Sequence, residues 1–349
     1  MTSPPVVALP YDGAELERQL GPGFAATLGE AYRWMVFART LDSRMLGLQR
    51  QGRIGFYGPA TGQEAVSVAA GLTVQERDWV FPGLREQLVA LVRGLPLPRY
   101  MDHLFANDRD PARGRQMPCH PSAREVSYVS MSSVIGTQIS QAVGTAYAMK
   151  LKHDPAISFA FFGDGATSSN DFHAGLNLAG TLSLPVLFCC TNNQWAISVP
   201  VERQSHVARL ADKAAAYGFS GTRVDGTDVV ASLRALREAS ERVRQGHGPE
   251  LLEFVLFRMT PHSSSDDPKR YQAPDWMARA EASDPVRRLE ELVDRLGILS
   301  AAARTEVAAR AEQEVKAAID TAEPVGPPIP TSLTEDVFAP PTPVGAGGR

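Results

Sequence analysis

The residues best suited to chemistry in this 349-residue chain sit in two short strings, Gly163-Asp164-Gly165 and Asn192-Asn193, with 26 residues between them. Each follows an apolar run: Ile157-Ser158-Phe159-Ala160-Phe161-Phe162 before the first, Pro185-Val186-Leu187-Phe188-Cys189-Cys190 before the second. Short continuous apolar runs of this kind are the pattern of strands covered on both faces. If the two strands are parallel neighbours joined by one crossover helix, both strings emerge at the carboxyl edge of the sheet, where open α/β folds bind ligands. That edge would carry a carboxylate (Asp164), an amide oxygen (Asn193) and glycine backbone that a phosphate can approach closely. With the main-chain carbonyl of Trp195 as a further oxygen, two phosphate oxygens and a water would complete the octahedron that Mg²⁺ demands. A lone Gly-Asp-Gly is usually a turn. The pairing of both strings, each at a strand end, points to a metal-bound diphosphate.

The elements that must position these strings are legible around them. Ile139–Leu151 has helical spacing, with Ala142, Val143, Ala146 and Met149 inward, and Phe172–Gly180 is the expected crossover helix, starting near Asp171. Val224-Asp225-Gly226, a helix from Val229 to Arg244, and Leu251–Phe257 repeat the strand–helix–strand cadence. The expected fold class is α/β, a parallel sheet with helices on both faces, plus C-terminal helices between Asp284 and Thr321. Upstream, Leu28, Ala31, Met35, Val36, Leu41, Met45 and Leu48 mark a helix over Ala25–Arg50. Gly52 to Gly62 reads as a loop, and Glu64–Gly71 as a slim helix rich in alanine. Trp79-Val80-Phe81 is a short strand leading to Arg85. The expected domain organisation is an arm over residues 1–24, a diphosphate-binding domain over 25–322, and a tail over 323–349 that carries seven prolines from Pro324 onward.

Composition narrows the class. The formal net charge is −4, with 35 basic against 39 acidic residues, which argues against a nucleic-acid binder. Apolar residues make up 44% of the chain, enough for a substantial core, yet no run approaches the length of a membrane span. The start, Met1-Thr2-Ser3-Pro4-Pro5, lacks a basic segment leading into an apolar one, and the three cysteines include the adjacent pair Cys189-Cys190 inside an apolar run. Both features lead us to expect a cytoplasmic protein with buried thiols.

The two strings resemble the thiamine diphosphate motif. The surrounding sequence is similar to the alpha subunit of the decarboxylating component of 2-oxoacid dehydrogenase complexes, especially the branched-chain type. The strings that carry this are Gln49-Arg50-Gln51-Gly52-Arg53-Ile54-Gly55-Phe56-Tyr57, Gly114-Arg115-Gln116-Met117-Pro118-Cys119-His120, Thr137-Gln138-Ile139, Ala196-Ile197-Ser198 and Pro261-His262-Ser263-Ser264-Ser265-Asp266-Asp267. The resemblance covers roughly residues 25 to 300. It implies that Asp164, Asn193 and the Trp195 carbonyl hold Mg²⁺, and that Arg85, Ser133, Ile135, Gly165, Ala166 and His262 contact the cofactor. His262 would also act in catalysis. Phe56, Met117, His120 and Ser133 would lie at the substrate end, and Ser132, Val134, Thr137 and Gln138 match a segment that holds potassium in some relatives.

The same resemblance implies decarboxylation of a 2-oxoacid and reductive acylation of a lipoyl group on a partner acyltransferase. No glutamate here matches the carboxylate that activates the cofactor in the family. A beta subunit is therefore expected to complete the site, in an assembly of two alpha and two beta chains. The preferred substrate would be branched-chain, with pyruvate or acetoin as the alternative; a non-catalytic scaffold with a degenerate site is the reading from a different class. In animal homologues a serine beside the matching histidine is phosphorylated, and Ser263 holds that place. Three positions depart from the family. Leu84 precedes Arg85 where aromatics are common, Thr191 stands where some relatives have a diphosphate-gripping arginine, and Trp195 replaces the commoner Tyr or Phe. A one-chain enzyme of the transketolase type would need a second domain that this length does not hold. A nicotinamide dinucleotide site would want a third glycine that Gly163-Asp164-Gly165-Ala166-Thr167-Ser168 lacks.

Overall fold

The computed structural model describes residues 6–263, 266–335 and 337. Ser264, Ser265, the first five residues of the arm, and residues 336 and 338–349 of the proline-rich tail lie outside the described residues. Among the described residues there are seven strands: β1 Trp79–Phe81, β2 Ser158–Gly163, β3 Val186–Asn192, β4 Trp195–Ala196, β5 Val199–Pro200, β6 Ser220–Asp225 and β7 Glu250–Val255. Five of them form one parallel sheet in the order β1-β2-β3-β7-β6, while β4 and β5 make a small antiparallel hairpin.

The sheet is buried on both faces, which is why its strands read as unbroken apolar runs. Phe159 and Phe161 of β2, with Leu187 and Cys189 of β3, enter the larger core. Ala160 and Phe162, with Val186, Phe188 and Cys190, enter a second core on the opposite face. Each fully buried large side chain here contributes about 1.5–3 kcal/mol by leaving water. The second core is closed by helices Thr137–Lys152 and Asn170–Leu182, the latter being the crossover between β2 and β3. The larger core packs against Phe24–Arg50, Glu64–Thr73, Val229–Arg244, Pro285–Arg295 and Ala301–Ala322. The slim helix over 64–73 needs its small residues: a Cβ on Gly71 would come within 2.5 Å of the Val92 Cβ.

The strand–helix alternation, the parallel neighbours β2 and β3 and the flanking helices match expectation. Several boundaries shift by a few residues, and two differences stand out. β3 continues through Thr191 to Asn192, because Asn192 is fixed by β7: its Nδ2 donates to the Glu253 carboxylate at 2.8 Å and its carbonyl accepts from the Leu256 N–H at 3.0 Å. Residues 13–20 form a helix within the arm, capped by Asp12, whose side chain accepts from the Glu15 N–H at 2.8 Å, and Leu16 and Leu20 of that helix are buried. The spacing of only two buried leucines was too short to announce it. Among the described residues no helix is long and apolar enough to cross a membrane.

Candidate active site

β2 and β3 run in register, with Gly163 opposite Thr191, so Asp164 and the Asn192-Asn193 pair leave the sheet side by side at its carboxyl edge. Beyond Asp164 the chain turns through Asp164–Ser168 into the helix Asn170–Leu182, whose first turn is capped by the Ser169 hydroxyl accepting from the Phe172 N–H at 3.2 Å. Beyond Asn193 it enters the β4–β5 hairpin. Asn193 Oδ1 accepts from the Trp195 N–H at 3.2 Å, which sets the path of the Trp195 backbone. Opposite Trp195 stands Pro200, which has no N–H to offer the Trp195 carbonyl. The two turns are packed tightly, since a Cβ on Gly165 would lie 2.7 Å from the Ala196 Cβ.

Asp164 is 2% exposed, and among the described residues its one hydrogen-bonding side-chain partner is the neutral amide of Gln204, Nε2 to Oδ2 at 3.1 Å. Burial pushes its carboxyl up to about 6, partly offset by Gln204 and by the charge of Arg258. A desolvated carboxylate with only a neutral donor has unused capacity for a cation. Among the described residues no group of three His, Cys, Asp or Glu could hold a metal. An ion at this edge would therefore depend on one carboxylate together with amide and main-chain oxygens, a donor set of hard oxygens that suits Mg²⁺.

Facing this edge are buried cations with few anions. Arg85 is 5% exposed; its guanidinium donates to the Pro59 carbonyl and, at 3.1 Å, to the His262 carbonyl. Burial, and then the nearby Arg258, lower its pKa to about 10. Its Nη2 also lies 3.3 Å from His262 Nδ1. Because a guanidinium can only donate, Nδ1 must be the acceptor, which puts the His262 ring proton on Nε2. Burial together with Arg85 and Arg258 lowers the His262 pKa to about 4, so the ring is neutral at physiological pH.

Arg258 is the residue that sequence reasoning missed. It is 1% exposed, and its Nη2 donates to the Ile197 carbonyl at 2.8 Å and to the Tyr271 hydroxyl at 2.7 Å. The nearest carboxylate, Asp266, is 3.8 Å away and already accepts from the His262 N–H and the Tyr271 hydroxyl. Nε and Nη1 of Arg258 have no partner among the described residues. Leaving two such donors unmade is costly unless a ligand meets them. The signal was an arginine closing the apolar run Leu251-Leu252-Glu253-Phe254-Val255-Leu256-Phe257. Thr191, by contrast, turns its hydroxyl to Glu86 and the Phe162 carbonyl, both at 3.3 Å, and brings no charge. Two buried guanidiniums, an imidazole N–H and a cation-seeking carboxylate fit a diphosphate carrying a divalent ion.

The residues expected at the substrate end form a second group. His120, 3% exposed, receives the Ser133 hydroxyl on Nε2 at 2.5 Å, and its Nδ1 meets the Pro118 carbonyl at 2.9 Å. Burial, and to a smaller extent His103, lower the His120 pKa. The Phe56 ring stands 6.4 Å from it, centre to centre. Met117, Val134 and Ile135 are exposed beside this group. Gln138 donates to the Phe161 carbonyl at 3.0 Å while its buried Oε1 has no partner among the described residues, and Ser132 Oγ accepts from the Val134 N–H. The groups meet at the Phe56–Pro59 loop, which gives Arg85 its Pro59 carbonyl and carries Phe56 to His120.

Comparison with known proteins gives one family and a consistent set of relatives. Residues 32–330 match the family described as "Dehydrogenase E1 component". The chain is 36% identical over 310 residues to "2-oxoisovalerate dehydrogenase subunit alpha 2, mitochondrial" of Arabidopsis thaliana, covering 88% of this chain and 65% of that protein. It is 39% identical over 297 residues to "Pyruvate dehydrogenase E1 component subunit alpha" of Bacillus subtilis, covering 85% and 78%. It is 40% identical over 290 residues to "3-methyl-2-oxobutanoate dehydrogenase subunit alpha" of Mycobacterium tuberculosis, covering 82% and 76%. The chain thus spans just under two thirds of the length of the plant relative and about three quarters of the two bacterial ones.

Proposed function

The chain belongs to the dehydrogenase E1 component family, and from that premise we propose that it is the alpha subunit of a thiamine diphosphate-dependent 2-oxoacid dehydrogenase, of the branched-chain type. The observation that carries the reading is the placement of Asp164 and Asn193 at the ends of adjacent strands, beside two buried cations: Arg85, which has no ion pair among the described residues, and Arg258, whose nearest carboxylate is 3.8 Å away.

In this reading Asp164, Asn193 and the Trp195 carbonyl hold Mg²⁺, and Arg85, Arg258, Gly165 and Ala166 take the diphosphate. When bound, thiamine diphosphate supplies the nucleophilic carbon that lets CO₂ leave the 2-oxoacid. The protein's share is placement and proton control. Arg85 keeps His262 neutral with its proton on Nε2, where it can donate to a phosphate or to oxygen developing charge. Ser133 and Ile135 border the cofactor, while Phe56, Met117, His120 and Ser133 wall the acyl end. Gln138 Oε1, a buried acceptor without a partner among the described residues, supports a potassium ion near Ser132, Thr137 and Gln138.

A beta subunit completes the site, in a two-alpha, two-beta assembly that serves a lipoyl-bearing acyltransferase; the exposed apolar side chains of Val134, Ile135 and Ile197 support a partner at this face. The three cysteines are unpaired and buried, in keeping with a cytoplasmic site of action. Pyruvate is the second reading, favoured by the similarity to the Bacillus subtilis pyruvate dehydrogenase subunit.

The test is steady-state decarboxylation by the chain alone and after coexpression with its beta partner, comparing 3-methyl-2-oxobutanoate, 4-methyl-2-oxopentanoate and pyruvate. Activity only in the assembly, highest with the branched substrates, is the expected result. Full activity of the single chain would refute the shared site, and a preference for pyruvate would select the second reading.

A further inference from the structure

The turn that carries His120 is held in a conformation that L residues rarely adopt. Cys119 has φ of 64° and is completely buried. Backbone of this kind persists only where the surroundings over-determine it. The surroundings here are a second histidine. The His120 N–H closes the turn on the Met117 carbonyl at 3.2 Å and also lies 3.2 Å from Nε2 of His103. A backbone N–H only donates, so His103 Nε2 is unprotonated and its ring proton sits on Nδ1. That nitrogen faces the Asp110 carboxylate at 3.3 Å. Asp110 is fixed in turn by the N–H groups of Ala112 and Gly114, at 3.1 and 3.0 Å. His103, Asp110 and His120 are all buried, at 5%, 2% and 3% exposure. With its backbone so clamped, the His120 ring gives its Nδ1 proton to Pro118 and turns Nε2 to the Ser133 hydroxyl.

We propose that His103, oriented by Asp110, is a positioning residue that fixes His120 as a neutral hydrogen-bond acceptor at the acyl end of the cleft. The inference rests on the reading of that cleft as a 2-oxoacid site. Its consequence is a wall of Phe56 and an uncharged imidazole, which offers the substrate carboxylate no attraction and so leaves this side to the apolar acyl chain.

The experiment uses the alpha–beta assembly with His103→Phe and His103→Gln. A glutamine can accept from the His120 N–H with Oε1 and donate to Asp110 with Nε2, as His103 does; a phenylalanine can do neither. His103→Phe is expected to raise KM for the branched 2-oxoacid about tenfold, with a smaller effect on kcat, as expected for one lost orienting hydrogen bond. Its affinity for thiamine diphosphate, measured by calorimetry, should not change, and His103→Gln should restore KM. Ring-carbon NMR of an alpha chain labelled at its seven histidines and assembled with unlabelled beta partner reports which His120 nitrogen carries the proton. The expected signature is Nδ1–H in the wild type and His103→Gln, lost in His103→Phe. Unchanged KM and tautomer in His103→Phe would overturn the proposal, as would a His103→Gln variant no better than His103→Phe. Absence of thiamine diphosphate binding by the wild-type assembly would overturn the cleft reading itself, and the tautomer comparison would still decide whether His103 positions His120.

Discussion

Nη2 of Arg85 lies 3.3 Å from Nδ1 of His262 and 3.1 Å from the carbonyl of the same residue, so one buried guanidinium fixes both the backbone and the ring of the loop histidine. The contact joins the end of β1 to the loop after β7, two segments 177 residues apart in sequence. It makes the cationic side of the site a single unit: displacing Arg85 frees the His262 tautomer as well as removing a charge.

For that reason Arg85→Lys is expected to behave almost as badly as Arg85→Gln. A lysine keeps the charge but cannot grip a phosphate and hold the His262 carbonyl at once. Losing one or two charge-assisted hydrogen bonds should weaken thiamine diphosphate binding by roughly 10–100-fold. Calorimetric titration of the alpha–beta assembly checks this, and a lysine variant with wild-type affinity would contradict the joint role.

Arg258 separates stability from function. In the cofactor-free protein it is a buried charge with two donors unmade among the described residues, and its one carboxylate partner, Asp266 at 3.8 Å, already accepts from the His262 N–H and the Tyr271 hydroxyl, so Arg258→Met should leave the melting temperature unchanged or raise it. The stabilisation on adding thiamine diphosphate and Mg²⁺ should shrink, because the ligand loses a partner. Thermal scans with and without ligand measure both. A variant that melts lower without ligand yet gains full ligand stabilisation would show Arg258 to be structural only.

His262 predicts a pH dependence whose sign is fixed. Its folded pKa, about 4, lies below the ordinary value of 6.5. As pH falls below 6.5, the unfolded chain takes up a proton that the folded chain refuses, so this group's share of stability declines between pH 6.5 and 4. His262→Gln lacks that component. Urea midpoints of the cofactor-free assembly at pH 7 and pH 5, chosen as about one-half and about one-and-a-half units either side of the ordinary value, should fall further for the wild type than for the variant. Equal losses would show that the ring is not held neutral by its surroundings.

Much of the catalytic edge was legible in the sequence because both halves of it are local. Gly163-Asp164-Gly165 and Asn192-Asn193 each follow an apolar run, and parallel pairing of the two runs brings Asp164 beside Asn193 without any further information. Arg85 could be picked out because a strand leads straight to it. What stayed hidden depends on contacts between distant segments. Gln204 reaches Asp164 from 40 positions away, and Arg258 reads as the polar end of an apolar strand until its free nitrogens are seen. His103 is 17 residues from His120 on an amphipathic helix, Leu97–Phe105, where a histidine ordinarily signals nothing. The helix in the arm was obscured for another reason: a short element stabilised by packing leaves little periodicity to detect.

We propose that Asp164 and Asn193 together would let a divalent ion join protein oxygens to a bound diphosphate. Calorimetric titration of thiamine diphosphate into the alpha–beta assembly, with Mg²⁺ and then with a chelator, tests it most directly when repeated for Asp164→Asn. Tight binding is expected of the wild type with Mg²⁺, and about 100-fold or greater weakening both on chelation and in the variant, with no additive loss when the two are combined. Equal affinity with and without Mg²⁺, or an Asp164→Asn assembly that binds as the wild type does, would contradict it.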